Sequence, residues 1–112
     1  MLSFLDTMFN HEERKVANYR GKDCEGNEFV LDTCLVTDSK QPFETALSHP
    51  FYNNGDWIIL QSYDTAEEAK LGHNKWFDVF VNKGLPNVIK DHVVGGFEAM
   101  LDDEDIHIKR EQ

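Results

Sequence analysis

Cysteine, proline and basic charge are all scarce in this chain. Cys24 and Cys34 are its two cysteines, too few for a disulfide framework, so an intracellular chain with reduced thiols is expected. No apolar run approaches the roughly 18 residues that cross a bilayer, and no basic and apolar leader precedes Asp6, so a membrane role and secretion are not expected. The seven glycines form no phosphate-cradling pattern. The histidines show neither i, i+4 pairing on a helix nor the company of a Cys-x-x-Cys pair. No metal and no cofactor is therefore expected. Lys and Arg number 11 against 21 Asp and Glu, a net charge of −10, and the bases are scattered singly among acids. Phosphate backbones repel such a chain, which argues against direct nucleic-acid binding and favours solubility or a basic protein partner. The acid excess is split, with six acids to two bases over residues 21–55 and seven to three over 85–112.

What remains is globular composition, 40% hydrophobic, 12% aromatic and 29% charged over 112 residues, enough for one domain with its own core. The organising stretch runs from Tyr63 to Gly84. Thr65 and Glu68 are spaced as a capping box, Glu67 and Glu68 suit the positive end of a helix dipole, and Lys83 suits the negative end. Gly84 is placed for a left-handed cap, and Pro86 forbids continuation. A helix over about 66–83 is expected. At about 100° per residue, Ala66, Ala69, His73, Trp76, Phe77, Phe80 and Val81 fall on one face, with Glu67, Leu71, Lys75, Asp78 and Asn82 opposite.

Strands should precede it. An extended run ends near Arg20, and Gly21 to Asn27 reads as a hairpin loop. Phe29 to Thr37 is rich in β-branched and aromatic residues and is the strongest strand, with Phe29, Leu31 and Leu35 on one face and Val30, Cys34 and Val36 on the other. Apolar residues on both faces suggest a central strand covered on both sides. Phe43 to Ser48 can return beside it and His49-Pro50 ends it, while Trp57 to Tyr63 is a further strand leading into the helix. The fold class that follows is α+β, a mainly antiparallel sheet of about four strands with one long helix on one face. Trp57, Ile59, His73, Trp76, Phe77 and Phe80 form the expected core.

The ends are less regular. Phe4, Leu5, Met8 and Phe9 line one side of a short arm, residues 1–10, which either docks on the domain or reaches another subunit. Val88, Ile89, Val93, Val94, Phe97, Met100 and Leu101 are too apolar for a solvated tail, and Gly95-Gly96 signals a bend. In the acidic segment 102–112, Ile106 and Ile108 alternate with His107 and Lys109 as in a short edge strand.

Catalysis has one candidate arrangement: Cys34 as nucleophile, His49 as base, and Asp32 or Glu44 to orient it. A simple hairpin loop over 38–42 pairs Cys34 near Ala46 and puts Cys34 and His49 on opposite faces, and a one-residue slip would reverse that. His73, in the middle of the apolar stripe, reads as a core histidine bonded to a strand or to Cys34. Gly72 beside it lets another group approach the helix closely.

From Asp32 to Phe77 the chain resembles small uncharacterised proteins of tailed bacteriophages and prophages. The resemblance is carried by Asp32-Thr33-Cys34, Pro42-Phe43-Glu44-Thr45-Ala46, His49-Pro50, Tyr52-Asn53, Gly55, Trp57, Tyr63-Asp64-Thr65, Glu67-Glu68-Ala69, Gly72-His73 and Trp76. It implies an origin and a setting, the host cytoplasm or alternatively the virion, and no activity for any residue. The expectation is a non-enzymatic accessory protein that binds a host or phage protein. A virion or assembly component is the alternative, and a thiol hydrolase using Cys34 the second. Phe4, Leu5, Met8, Phe9, Ile106 and Ile108 are the expected interaction surface, and self-association is left open.

Overall fold

A computed structural model of the chain describes residues 15–36, 41–91 and 106–111. Four strands, β1 (Lys15–Lys22), β2 (Glu28–Leu35), β3 (Phe43–Ser48) and β4 (Ile58–Tyr63), form an antiparallel sheet in the order β1-β2-β3-β4. Each strand pairs with its chain neighbour because short loops permit nothing longer-ranged. Side-chain alternation gives the sheet an inner and an outer face. Phe29, Leu31, Thr33, Thr45, Leu47 and Ile58 are buried on the inner face. Val30, Asp32, Cys34, Ala46, Ser48 and Ile59 are half-buried on the outer one.

One irregularity matters. Thr45 faces Gln61 while Ala46 faces Ile59, so Leu60 is the extra residue of a β-bulge. The bulge keeps Leu60 buried and still turns Gln61 and Tyr63 toward the inner face.

The helix α1 (Ala66–Asp78) lies on that inner face and continues into one π-type turn, Val79–Lys83. Thr65 caps it by accepting the Glu68 N–H at 3.1 Å, and the Thr65 hydroxyl donates to the Glu68 carboxylate at 3.1 Å. The expected span of 66–83 is thus one continuous helical element whose last turn widens. That widening alters the expected cap. Gly84 N–H reaches back to Val79 O at 2.9 Å, and Gly84 takes φ 135°, ψ 156°, a region that only glycine enters readily, in place of the left-handed cap. The exit directs Leu85 into the core.

The helix faces as its periodicity requires at most positions. Phe80 is fully buried, Ala69, Gly72 and His73 are buried, and Trp76, Phe77 and Val81 pack half-buried against the core. Leu71 is 71% exposed on the other side. Ala66, in the first turn, is also exposed, against the expectation that placed it on the buried face.

Trp57 and Ile59 correct the expected core. Strand β4 begins one residue after Trp57, and Ile58 and Leu60 take the inner positions, so Trp57 is 53% exposed and Ile59 sits half-buried on the outer face. The outer face as a whole carries no second layer among the described residues.

Strands β5 (Val88–Asp91) and β6 (Ile106–Lys109) form a separate antiparallel pair with Ile89 opposite Ile108. Ile89 joins the core and Ile108 packs half-buried against it. The Asp91 carboxylate accepts the Ile59 N–H at 3.0 Å and so occupies the outer edge of β4. Phe4, Leu5, Met8 and Phe9, with the arm 1–10 and the Gly95-Gly96 bend, lie outside the described residues. No helix among the described residues is long and apolar enough to cross a membrane.

Phe80 is packed by Phe29, Tyr52 and Trp76 at ring centroid distances of 5.6, 6.1 and 6.4 Å. Phe80→Ala should lower the free energy of unfolding by about 3–5 kcal/mol. Leu71→Ala, on the exposed side, should change it by less than about 0.5 kcal/mol. Denaturant titration of the two variants checks the facing, and comparable losses would reject it.

Candidate functional site

Two polar assemblies are buried in the described part of the molecule, and they contain both of its fully described buried histidines. The first begins in the loop between β1 and β2. Asp23 Oδ1 accepts the backbone N–H groups of Glu25 at 2.8 Å and Asn27 at 2.9 Å, while Asn27 Nδ2 donates to Oδ2 at 3.2 Å. Gly26, at φ 89°, completes the turn. The remaining partner of Oδ2 is His49 Nε2 at 2.6 Å, with both side chains wholly removed from solvent.

The other imidazole nitrogen is also engaged. Phe51 N–H donates to His49 Nδ1 at 3.0 Å. A nitrogen that accepts carries no proton, so His49 is the neutral tautomer with its proton on Nε2, donated to Asp23. Burial pushes the Asp23 carboxyl upward, but the donors His49, Asn27 and Glu25 outweigh it and hold the group below its ordinary value. Aromatic rings close the pocket, with Tyr52, Phe51, Phe29 and Phe80 centroids 5.1, 5.4, 5.8 and 6.0 Å from the imidazole.

Around this pair several segments converge. Cys24 N–H donates to Phe80 O at 3.0 Å, and Tyr52 Oη donates to Pro86 O at 2.5 Å. Burial pushes the Tyr52 hydroxyl up to about 12. Arg110 bonds Glu25 at 2.6 Å and stacks over the Phe51 ring at 5.4 Å, and Glu111 N–H donates to Phe51 O at 2.7 Å.

The second assembly sits between α1 and the sheet. Thr33 Oγ1 lies 2.7 Å from His73 Nδ1 and 2.6 Å from Thr45 Oγ1, which lies 3.0 Å from Tyr63 Oη. Tyr63 and Trp76 both donate to Gln61 Oε1, at 3.4 and 3.0 Å. The hydroxyls of Thr33, Thr45 and Tyr63 thus link His73 Nδ1 on the helix to Gln61 on β4. His73 is thus the core histidine bonded to a strand, through Thr33 rather than Cys34. Burial lowers its pKa against a smaller opposing effect from Asp32. A Cβ at Gly72 would collide with the Tyr63 phenol, so Gly72 is what lets this ring approach the helix.

The catalytic candidates do not come together. Cys34 faces Glu44, two positions from the expected Ala46. A slip of two preserves parity, so Cys34 stays on the outer face while His49 is buried on the inner side beside Phe29. Asp32 accepts from Asn18 Nδ2 at 3.0 Å, on the outer face with Cys34. Neither cysteine forms a disulfide. Among the described residues no group of three or more His, Cys, Asp and Glu could hold a metal ion. The outer face does carry a groove of about 670 Å³, lined by Arg20, Glu28, Val30, Ser48, Pro50 and Asn54 among others. Residues 53–55 beside it all have positive φ, 51°, 55° and 86°.

Asp23 was not singled out by the sequence pattern, although an Asp three residues before Gly-Asn is a turn signal. Thr33 and Thr45 likewise announce themselves only as inward positions in two strands. Neither a family model nor any curated protein or solved structure matches the chain.

The two histidine assemblies give separable acid responses. With a depressed folded pKa, His73 leaves the unfolded chain to take up its proton first, so stability is complete above about 6.5 and falls as pH drops below it. The lowered carboxyl of Asp23 contributes stability above the unfolded value of about 3.9, lost as pH falls through the folded value. Asp23→Asn should cost about 1–3 kcal/mol at pH 7 and flatten the lower decline while leaving the upper one. Urea midpoints against pH measure this, and an NMR titration placing His73 above its ordinary value would overturn the burial argument.

Proposed function

We propose that the chain is a non-enzymatic accessory protein of phage origin that works in the host cytoplasm by binding another protein, with a host factor as partner. One observation carries this reading: His49, the only base offered for Cys34, has both ring nitrogens bonded, is 1% exposed and faces away from that thiol. A base must meet a substrate's proton within hydrogen-bond reach. His49 has no atom left with which to do so.

What the surface presents instead is suited to association. Trp57 is more than half exposed at the start of β4, and Val88 is 47% exposed at the start of β5. Exposed tryptophan is the side chain that most often anchors a protein interface, because it contributes a large apolar area at low entropic cost. The phage origin rests on the resemblance over Asp32 to Phe77. The net charge of −10 argues for protein over nucleic acid.

Tagged full-length chain, the Trp57→Ala variant and a version lacking residues 1–10 should be incubated with extract of infected host cells, cross-linked and compared. A defined protein captured by the full chain, and at least about tenfold less by Trp57→Ala, is expected. Salt-sensitive binding to duplex DNA, or a hydrolytic activity lost on Cys34→Ala, would overturn the proposal. Stoichiometric recovery in purified particles would replace it with the virion reading.

A further inference from the structure

We propose that the outer edge of β1 receives an acidic, extended segment of a partner protein as an added strand. This rests on the protein-binding reading and specifies its surface and its partner. Strand β1 is one end of the four-stranded sheet and runs for eight residues. Among the described residues no strand pairs with its outer side, whereas the opposite edge is occupied where Asp91 takes the Ile59 N–H. An edge of that length offers alternate N–H and C=O groups to any extended chain that fits.

Charge selects the chain that fits. The strand reads Lys-Val-Ala-Asn-Tyr-Arg-Gly-Lys, three cations and no acid in a molecule of net charge −10. Register places all three cations on one face: Lys15 faces Cys34, Arg20 faces Val30 and Lys22 faces Glu28, positions of β2 that share the outer face. Lys22 stands opposite Glu28, whereas Arg20 stands opposite the apolar Val30. Its planar guanidinium is the group best shaped to hold a carboxylate with two parallel bonds.

Distance decides against the overall negative charge. A strand added outside β1 lies about 5 Å from β1 and about 10 Å from β2. Screening over about 8 Å at physiological ionic strength leaves the β1 cations felt and mutes the β2 acids Glu28 and Asp32. The same cations oppose a second copy of this chain, since β1 against β1 would set Lys and Arg against one another.

A synthetic ten-residue peptide of alternating Val and Glu serves as the probe, with alternating Val and Lys as control. Both are titrated into the 15N-labelled full chain. Saturable binding of the acidic peptide is expected, with new hydrogen-exchange protection on alternate β1 amides. N-methylation of alternate peptide nitrogens should abolish it, and Arg20→Glu should weaken it at least about tenfold through loss of a charge-assisted pair. An unchanged thermal midpoint in that exposed variant separates lost binding from lost folding. Absence of saturation at about 1 mM peptide, perturbations mapping away from β1, equal binding of the Lys peptide, or a dimer with protected β1 amides would each overturn the proposal. Capture of one partner equally by the wild type and Arg20→Glu would overturn the edge while leaving the protein-binding reading intact.

Discussion

A neutral imidazole donating to a carboxylate, both out of reach of water, is the constraint on which the rest of this structure depends. A buried carboxylate is tolerable only when its oxygens are filled with donors. Asp23 meets that condition with its own turn on Oδ1 and with Asn27 and His49 on Oδ2. A shift of either the turn after β1 or the turn after β3 breaks the buried bond between His49 and Asp23. Cys24 N–H then ties the first turn to the π-type turn at Phe80. Tyr52 and Phe51 tie the second to Pro86, Arg110 and Glu111. One end of the sheet, the end of the helix and the last strand thus meet at a single hydrogen-bonded pair.

The second polar assembly solves a different problem. A helix laid on a purely apolar sheet face can slide and still bury the same area, because the hydrophobic effect has no direction. A chain of hydroxyls joining His73 to Gln61 and Trp76 ties the helix to one position on the sheet. Displacing α1 by a turn would break the Thr33–His73 and Trp76–Gln61 bonds that cross between helix and sheet, at a net cost of about 0.5–1.5 kcal/mol each. Gly72 makes the arrangement reachable, since any larger residue would hold the Tyr63 ring away from the helix. Specific position comes from these bonds, and adhesion from Phe80, Leu31, Leu47 and Ile58.

Much of this was legible in the residues because it is periodic. Alternation in Phe29 to Leu35 and the 3.6-residue stripe from Ala69 to Phe80 identify the sheet, the helix and their contact. Parity survived where register did not: the slip was of two residues and kept Cys34 and His49 on opposite faces, whereas a slip of one would have brought them together. Local departures from period were not legible. The bulge at Leu60 lets β4 present successive residues to one face, and the turn at Val79–Lys83 widens with no break in the apolar stripe to mark it. Trp57 misled because a large apolar side chain beside Ile58 reads as core, whereas the strand's inner positions were already taken. Asp23 was illegible for a further reason: its role requires a partner 26 residues away, and no local pattern announces one.

The same bonding that stabilises the fold bears on what it can be used for. Catalytic groups are held ready by leaving one atom unsatisfied until substrate arrives, and that incompleteness costs stability. His49 shows the opposite investment, with both ring nitrogens committed to neighbours, and His73 commits its Nδ1 to Thr33; both side chains have little exposure. Strand β1, by contrast, keeps cations on a peptide edge that no described strand completes. The proposal of a binding protein rests on that asymmetry.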